Sequence, residues 1–286
     1  MTRRRFLKMT WTLGMLVLAV MLLLVVFSGW KAKDIDPTWM FVSMLLLAFF
    51  AEYVDSSLGM GYGTTITPVL LIVGYSPLQV VPLVLMSEFI SGTMAGVLHH
   101  RLGNVDFGRG QRARTIVIVL GLCSVIGTVL AVLLAINLPK DVVKLYIGVM
   151  ILAVGIYLLL SRHAARRFSW GKIVTLGSVA AFNKGISGGG YGPLVTGGQI
   201  LSGVSGKNAV GVTSLVEGGV CFVGLILYLA LNGMPEWALG VPILIGSVLS
   251  VPAATVTVRV IPESFLGKWI GYATIFLGLL TLVKCF

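Results

Sequence analysis

The chain has 286 residues, 57% of them hydrophobic and only 11% charged, and its mean hydropathy is +1.00. A water-soluble domain of this length cannot hide so much apolar surface, so the composition implies a polytopic helical membrane protein. The net charge of +11 does not point to nucleic acid, because most basic residues fall in three clusters flanking apolar segments, at 3–8, 101–114 and 162–172, which is the pattern of membrane topology.

In chain order, Thr2-Arg3-Arg4-Arg5-Phe6-Leu7-Lys8 precedes an apolar run ending at Phe27. The pattern looks like a twin-arginine export signal. The run ends in Ser28-Gly29-Trp30 without a small-residue cleavage site, so an extra N-terminal transmembrane helix anchored by cytoplasmic arginines is expected. Further apolar segments lie near 38–57, 60–74, 78–98, 115–136, 142–160, 172–184, 189–202, 206–231, 237–257 and 265–283. Runs of about twenty residues suit helices, whereas barrel strands would alternate over roughly ten. Segments 60–74, 172–184 and 189–202 are too short to cross a core of about 30 Å at about 1.5 Å per residue. We therefore expect 38–74 and 172–202 to be broken helical hairpins that dip into the membrane, with their exposed backbone buried in protein or facing a cavity.

Those short segments carry an internal repeat. Residues 56–88 recur, degenerate but in register, 129 positions later at 185–217. Gly59, Gly61, Tyr62 and Gly63 fall on Gly188, Gly190, Tyr191 and Gly192, Gly74 and Ser76 on Gly203 and Ser205, and Glu88 on Glu217. A glycine-interrupted segment in corresponding positions of two halves is a pointer to a transporter's substrate site. Charge counting sets the orientation. The cluster at 3–8 is cytoplasmic, and 31–37 balances two lysines with two aspartates and lies outside. The loops at 101–114 and 162–172 are basic and inside, and 232–236 lacks a basic residue and lies outside. The expected fold class is thus an all-α polytopic membrane protein with two inverted repeats, 38–161 and 162–286. Residues 1–37 hold the cytoplasmic N-terminus and first helix, and the C-terminus lies outside.

The chemistry-bearing residues gather at the two breaks. Glu52, Asp55, Glu88 and Glu217 lie within apolar segments, where an ionisable group is expensive and marks function by default. Glu88 and Glu217 can bond the exposed backbone of a neighbouring hairpin, couple protons or contact substrate. Asp55 is in register with Lys184, so these two are expected to form an ion pair or to bind a shared ligand between the halves. In Gly59-Met60-Gly61-Tyr62-Gly63 and Gly188-Gly189-Gly190-Tyr191-Gly192, glycine permits a sharp turn and close approach to a ligand. A helix starting there points free N–H groups and a positive dipole end at the cavity. Pro193 sits at the first helical turn, where its missing N–H is harmless. Close helix packing is the competing use of glycine. Ser56, Ser57, Tyr62, Thr64 and Thr65 in one half, and Asn183, Ser187 and Tyr191 in the other, supply donors, with Thr196 and Gln199 as further candidates.

Cys123, Cys221 and Cys285 lie apart in apolar segments and read as buried small hydrophobes, with no metal or disulfide spacing. His99, His100 and His163 read as solvated or headgroup-facing members of the basic loops. No nucleotide or HExxH motif occurs, so neither an enzyme nor a cofactor is expected.

These motifs resemble the TauE/SafE family of sulfite and sulfonate exporters, the toluene-sulfonate uptake permease group. The first copy contributes the Gly59–Gly63 run, Pro68 with Leu70, and Gly74-Tyr75-Ser76-Pro77; the second contributes Ser187 to Pro193 and Gly203-Val204-Ser205-Gly206-Lys207-Asn208-Ala209. The likeness spans 38–285 and is more specific in the second copy. Met60 and Tyr62 interrupt the first glycine run, and Pro82 stands where a small residue is more usual. The resemblance implies secondary transport of a small anion, such as sulfite, a sulfonate or sulfoacetate, across the cytoplasmic membrane. Alternating access at the midplane between the repeats is the expected mechanism, with a passive anion channel as the alternative. Expected partners are the anion and the lipid bilayer, and a homo-oligomer is compatible with the sequence.

Overall fold

The computed structural model describes residues 37–160 and 168–258, with a few positions between 272 and 283. The expected first helix, the basic cluster at 3–8, His163, Cys285 and most of 265–283 lie outside the described residues. Among the described residues, nine helices with assigned bounds follow one another: α1 Pro37–Leu58, α2 Tyr62–Val73, α3 Pro77–Arg101, α4 Arg112–Asn137, α5 Lys140–Leu160, α6 Trp170–Ser187, α7 Tyr191–Leu201, α8 Gly206–Asn232 and α9 Trp237–Thr257. No strand occurs among the described residues. The helices α1, α3, α4, α8 and α9 are long and apolar enough to cross a membrane, and the chain is a multi-pass membrane protein.

Local sequence accounts for the ends. Ser76 and Gln79 cap α3, with the Ser76 amide donating to Gln79 Oε1 at 3.0 Å and Pro77 opening the helix. Gly74 closes α2 in the left-handed region at φ 111°, its N–H reaching the carbonyls of Leu70 and Leu71. The half-length helices have 12 residues in α2 and 11 in α7, about 16–18 Å of rise. One expectation changes here. The apolar run 172–184 is only part of α6, whose 18 residues rise about 27 Å. The sequence turns polar at Asn183 and Lys184, yet the helix continues to Ser187 because those side chains are buried in protein.

Packing brings the sequence-distant ends together. α1 lies along α9, α4 along α6, and α3 along α8. One core cluster gathers Tyr62, Ile66, Leu70, Leu83, Leu85 and Ile147; another gathers Ile116, Leu120, Tyr191, Val195 and Val212. The outer surface is apolar as well, with Leu122 68% and Ile126 67% exposed. Apolar burial in water would have hidden these residues; a lipid surround leaves no reason to.

Candidate functional site

The site is built from the two places where a helix stops and restarts. At the first, the Gly59 amide donates to Asp55 O at 2.6 Å, Gly59 and Gly61 take φ values of 71° and 132°, and α2 begins at Tyr62. At the second, the Gly188 amide donates to Lys184 O at 2.8 Å, Gly188 and Gly190 take φ values of 69° and 80°, and α7 begins at Tyr191. A side chain at these φ values would be strained, so the glycine spacing is a backbone requirement.

The two breaks rest on each other. A Cβ on Gly63 would overlap the carbonyl oxygen of Gly188 and stand 2.6 Å from Gly189 Cα. A Cβ on Gly192 would overlap the carbonyl oxygen of Gly59 and stand 2.9 Å from Met60 Cα. Thr67 Oγ1 donates to Ser187 O at 2.9 Å, and Thr196 Oγ1 donates to Gly59 O, also at 2.9 Å. The glycine pairs are related by 129 positions, as are the two threonine donors, whose acceptors Ser187 and Gly59 are one residue out of that register. A third pair is related in the same way: His99 Nε2 lies 2.9 Å from Ser56 O, and Tyr228 donates through its hydroxyl to Gly185 O at 3.0 Å. Both carbonyls belong to the last turn of a helix that ends inside the protein, where they need an outside donor.

His99 is therefore not in a solvated loop, as its basic neighbours suggest. It is fully buried and fixed from both sides, because Asn104 Nδ2 lies 3.0 Å from its Nδ1 and 2.9 Å from Thr255 O. An Asn104 amide donating to Nδ1 leaves the proton on Nε2, aimed at Ser56 O. His100 stays at the surface beside Asp106, 4.0 Å away.

The charges pair differently from the register. Lys184 Nζ, fully buried, donates to Glu88 and to Glu217 Oε1, the latter at 2.8 Å. Glu88 and Glu217 thus meet the lysine rather than hairpin backbone. Asp55 is not the ion-pair partner of Lys184; its Oδ1 accepts from the Tyr62 backbone N–H at 3.2 Å and so caps α2. The register aligns equivalent positions but says nothing about which lie across from each other. Glu52 accepts from Ser56 Oγ at 2.5 Å and from Ser91 Oγ at 2.9 Å. Cys221 is buried 3.7 Å from Glu88 Oε2, and Cys123 is partly buried without a disulfide.

Several predicted donors are spent on the scaffold. The Tyr62 hydroxyl lies 2.7 Å from Ser87 Oγ and that of Tyr191 lies 3.2 Å from Ser124 Oγ. Ser57 donates to Tyr53 O, Thr64 to Gly61 O and Ser187 to Asn183 O. Asn183 Oδ1 accepts from the Tyr146 hydroxyl. Thr65 is partly exposed. Thr196 and Gln199 converge on Thr213 Oγ1 at 2.8 and 3.0 Å. Ser87, Ser91, Ser124, Thr67 and His99 were missed because single hydroxyls and an imidazole at the edge of an apolar run have no motif around them.

Away from the breaks, a cavity of about 420 Å³ opens where the ends of α2, α3, α5 and α8 meet, lined by Tyr75, Ser76, Gln79, Lys140, Lys144 and Asn232 among others. Lys144 pairs with Asp141 at 3.5 Å, leaving Lys140 as a second ammonium on its wall.

The family model of the sulfite exporter TauE/SafE matches residues 44–281. The chain is 27% identical over 254 residues to the probable membrane transporter protein YtnM of Bacillus subtilis (strain 168), covering 83% of this chain and 81% of that protein. No solved structure matches.

Proposed function

This chain belongs to the sulfite exporter TauE/SafE family, and from that premise we propose that it is a secondary transporter of a small anion. The anion is sulfite, a sulfonate or a related organic anion such as sulfoacetate, bound between the two glycine breaks and moved by alternating access. The observation that carries this reading is the reciprocal seating of the two half-helices, Gly63 on Gly188 and Gly192 on Gly59, beside a lysine buried at their junction. Helix N-termini that open inside a membrane protein attract negative charge. Lys184 stands beside them with its charge shared between Glu88 and Glu217.

The same contacts support two inverted repeats, 38–161 and 162–286, related by an axis in the membrane plane and set apart from residues 1–37. A lysine that touches both members of an equivalent pair, Glu88 and Glu217, belongs near such an axis. In this reading Lys184, Asn183, Ser187 and the run Gly188 to Gly192 form the more electropositive half of the site. Ser56, Ser57, Thr64 and the run Gly59 to Gly63 form the other half, where Asp55 already occupies the helix N-terminus. Glu52, Asp55, Glu88 and Glu217 act as coupling or structural charges. In a chain of the cytoplasmic membrane with its N-terminus cytoplasmic and its C-terminus outside, the lysine-walled cavity at Lys140 and Lys144 faces outward, where it can gather anions.

Transport rather than catalysis follows from this assignment. The test is a thermal-shift screen of purified protein against sulfite, sulfonates, sulfoacetate and simple carboxylates, followed by counterflow in proteoliposomes. An anion at about 100 times its Kd stabilises the folded state by roughly 2.7 kcal/mol. Trans-stimulated uptake identifies a carrier; flux without trans-stimulation identifies the passive channel instead.

A further inference from the structure

The interior around the breaks is unbalanced in charge. Among the described residues, Glu52, Asp55, Glu88 and Glu217 are buried acids, and Lys184 is the buried ammonium. Glu52 and Asp55 are held by hydroxyls and a backbone N–H. Glu88 and Glu217 share one lysine. One positive charge compensates one carboxylate, and a second left uncompensated in a membrane interior is costly.

An independent observation singles out Glu88. It is 2% exposed, its Oε2 faces Lys184, and its Oε1 is buried with no hydrogen-bond partner. An unpartnered, buried carboxylate oxygen is an acceptor held open. The groups around it can be named element by element. α6 supplies Lys184 and α8 supplies Cys221 against Glu88 itself, with Glu217 of α8 on the same lysine, and the acids of α1, Glu52 and Asp55, lie toward Glu217. α2 supplies Tyr62 and α5 supplies Tyr146, whose hydroxyls are taken by Ser87 and Asn183. α9 has no ionisable residue along its span. His99 lies further along α3 itself, turned to Ser56 and Asn104. No second cation faces Glu88 from any of these described elements.

We infer that Glu88 and Glu217 form a proton-binding site in which the two carboxyl groups share one exchangeable proton through their common partner Lys184. The inference rests on the anion-carrier reading and deepens it by naming the coupling ion. With both carboxylates charged, Lys184 is fully engaged. A proton taken from water onto a carboxyl oxygen neutralises one of the two and releases part of the lysine's charge for a bound anion. When the proton leaves to water on the other side, the carboxylate reclaims Lys184 and expels the anion. Proton and anion then move together, one for one, and no oxidant or other reactant is needed.

Infrared spectroscopy of the purified full-length protein reads the proton directly. The wild type should show a carboxylic-acid C=O stretch at neutral pH that shifts in D₂O. The band should be lost or displaced in Glu88→Gln and in Glu217→Gln. If Glu88→Gln does not fold, Glu88→Asp, which moves the band instead of removing it, takes its place. Folded variants whose carboxylic-acid region matches the wild type at every pH would overturn the shared proton. In wild-type proteoliposomes, a pH gradient should drive labelled methanesulfonate toward an accumulation of about tenfold per pH unit, abolished by a protonophore. Protein that exchanges methanesulfonate but ignores the gradient overturns the coupling. Protein that exchanges no anion at all strikes at the transport reading alone, and the infrared band still decides the proton site.

Discussion

The two breaks share a backbone and differ in charge. Both stop a helix at a left-handed glycine and restart it three residues later at a buried tyrosine. In the first, Asp55 turns back onto the new helix and neutralises its N-terminus. In the second, the equivalent position is Lys184, which faces away to two glutamates. The repeated glycine motif supplies the backbone geometry twice; in the proposed reading, the difference of charge between Asp55 and Lys184 sets which half is open to an anion.

Changes to the shared backbone should have the largest effect and should be alike in the two halves. Gly63→Ala and Gly192→Ala each force a methyl into a facing carbonyl. Each should therefore lose about 3 kcal/mol or more and yield little monodisperse protein on size-exclusion chromatography. Gly219→Ala, with nothing within 4 Å of the added carbon, should be neutral or slightly stabilising, by about 0.5–1 kcal/mol. A tolerated Gly63→Ala would break the picture of two breaks in direct contact.

Changes to the charges should separate the halves. Lys184→Met strands two buried carboxylates and should lower stability by about 3–5 kcal/mol, seen as a fall in the thermal midpoint. Asp55→Ala removes only a helix cap and should remove about 1–2 kcal/mol. Equal losses from the two would contradict the assignment of different jobs to equivalent positions.

The smallest effects test the symmetry of the supporting bonds. Thr67→Val and Thr196→Val each delete one hydroxyl bond to the opposite break and should cost about 1 kcal/mol apiece. His99→Phe and Tyr228→Phe each orphan a helix-end carbonyl and should cost about 1–3 kcal/mol. Urea or thermal titration in one detergent would rank all four, and a pair differing severalfold would sharpen where the halves diverge.

Much of this was legible in the chain. Glycine, tyrosine and the 129-residue register located both breaks, because backbone conformation is written locally. The buried acids stood out for the same reason, as charges within apolar runs. The partners of Lys184 were not legible. Register aligns Asp55 with Lys184, but contact depends on how α3 and α8 rotate against α6, which no local pattern encodes. His99 was hidden by its neighbours: it closes an apolar segment among basic residues, and only the unpaired end of α1 at Ser56 explains its burial. The end of α6 was obscured in the opposite way, since a polar stretch is helical when its side chains are enclosed by protein.

The central claim is that a small anion is carried past Lys184 at the junction of the two breaks. Counterflow in proteoliposomes tests it most directly, using the anion that most stabilises the purified protein and equal amounts of folded wild type and Lys184→Met. The account predicts trans-stimulated uptake by the wild type and a loss of about a hundredfold or more in the variant, equivalent to roughly 2.7 kcal/mol. Uptake by Lys184→Met at the wild-type rate would contradict it.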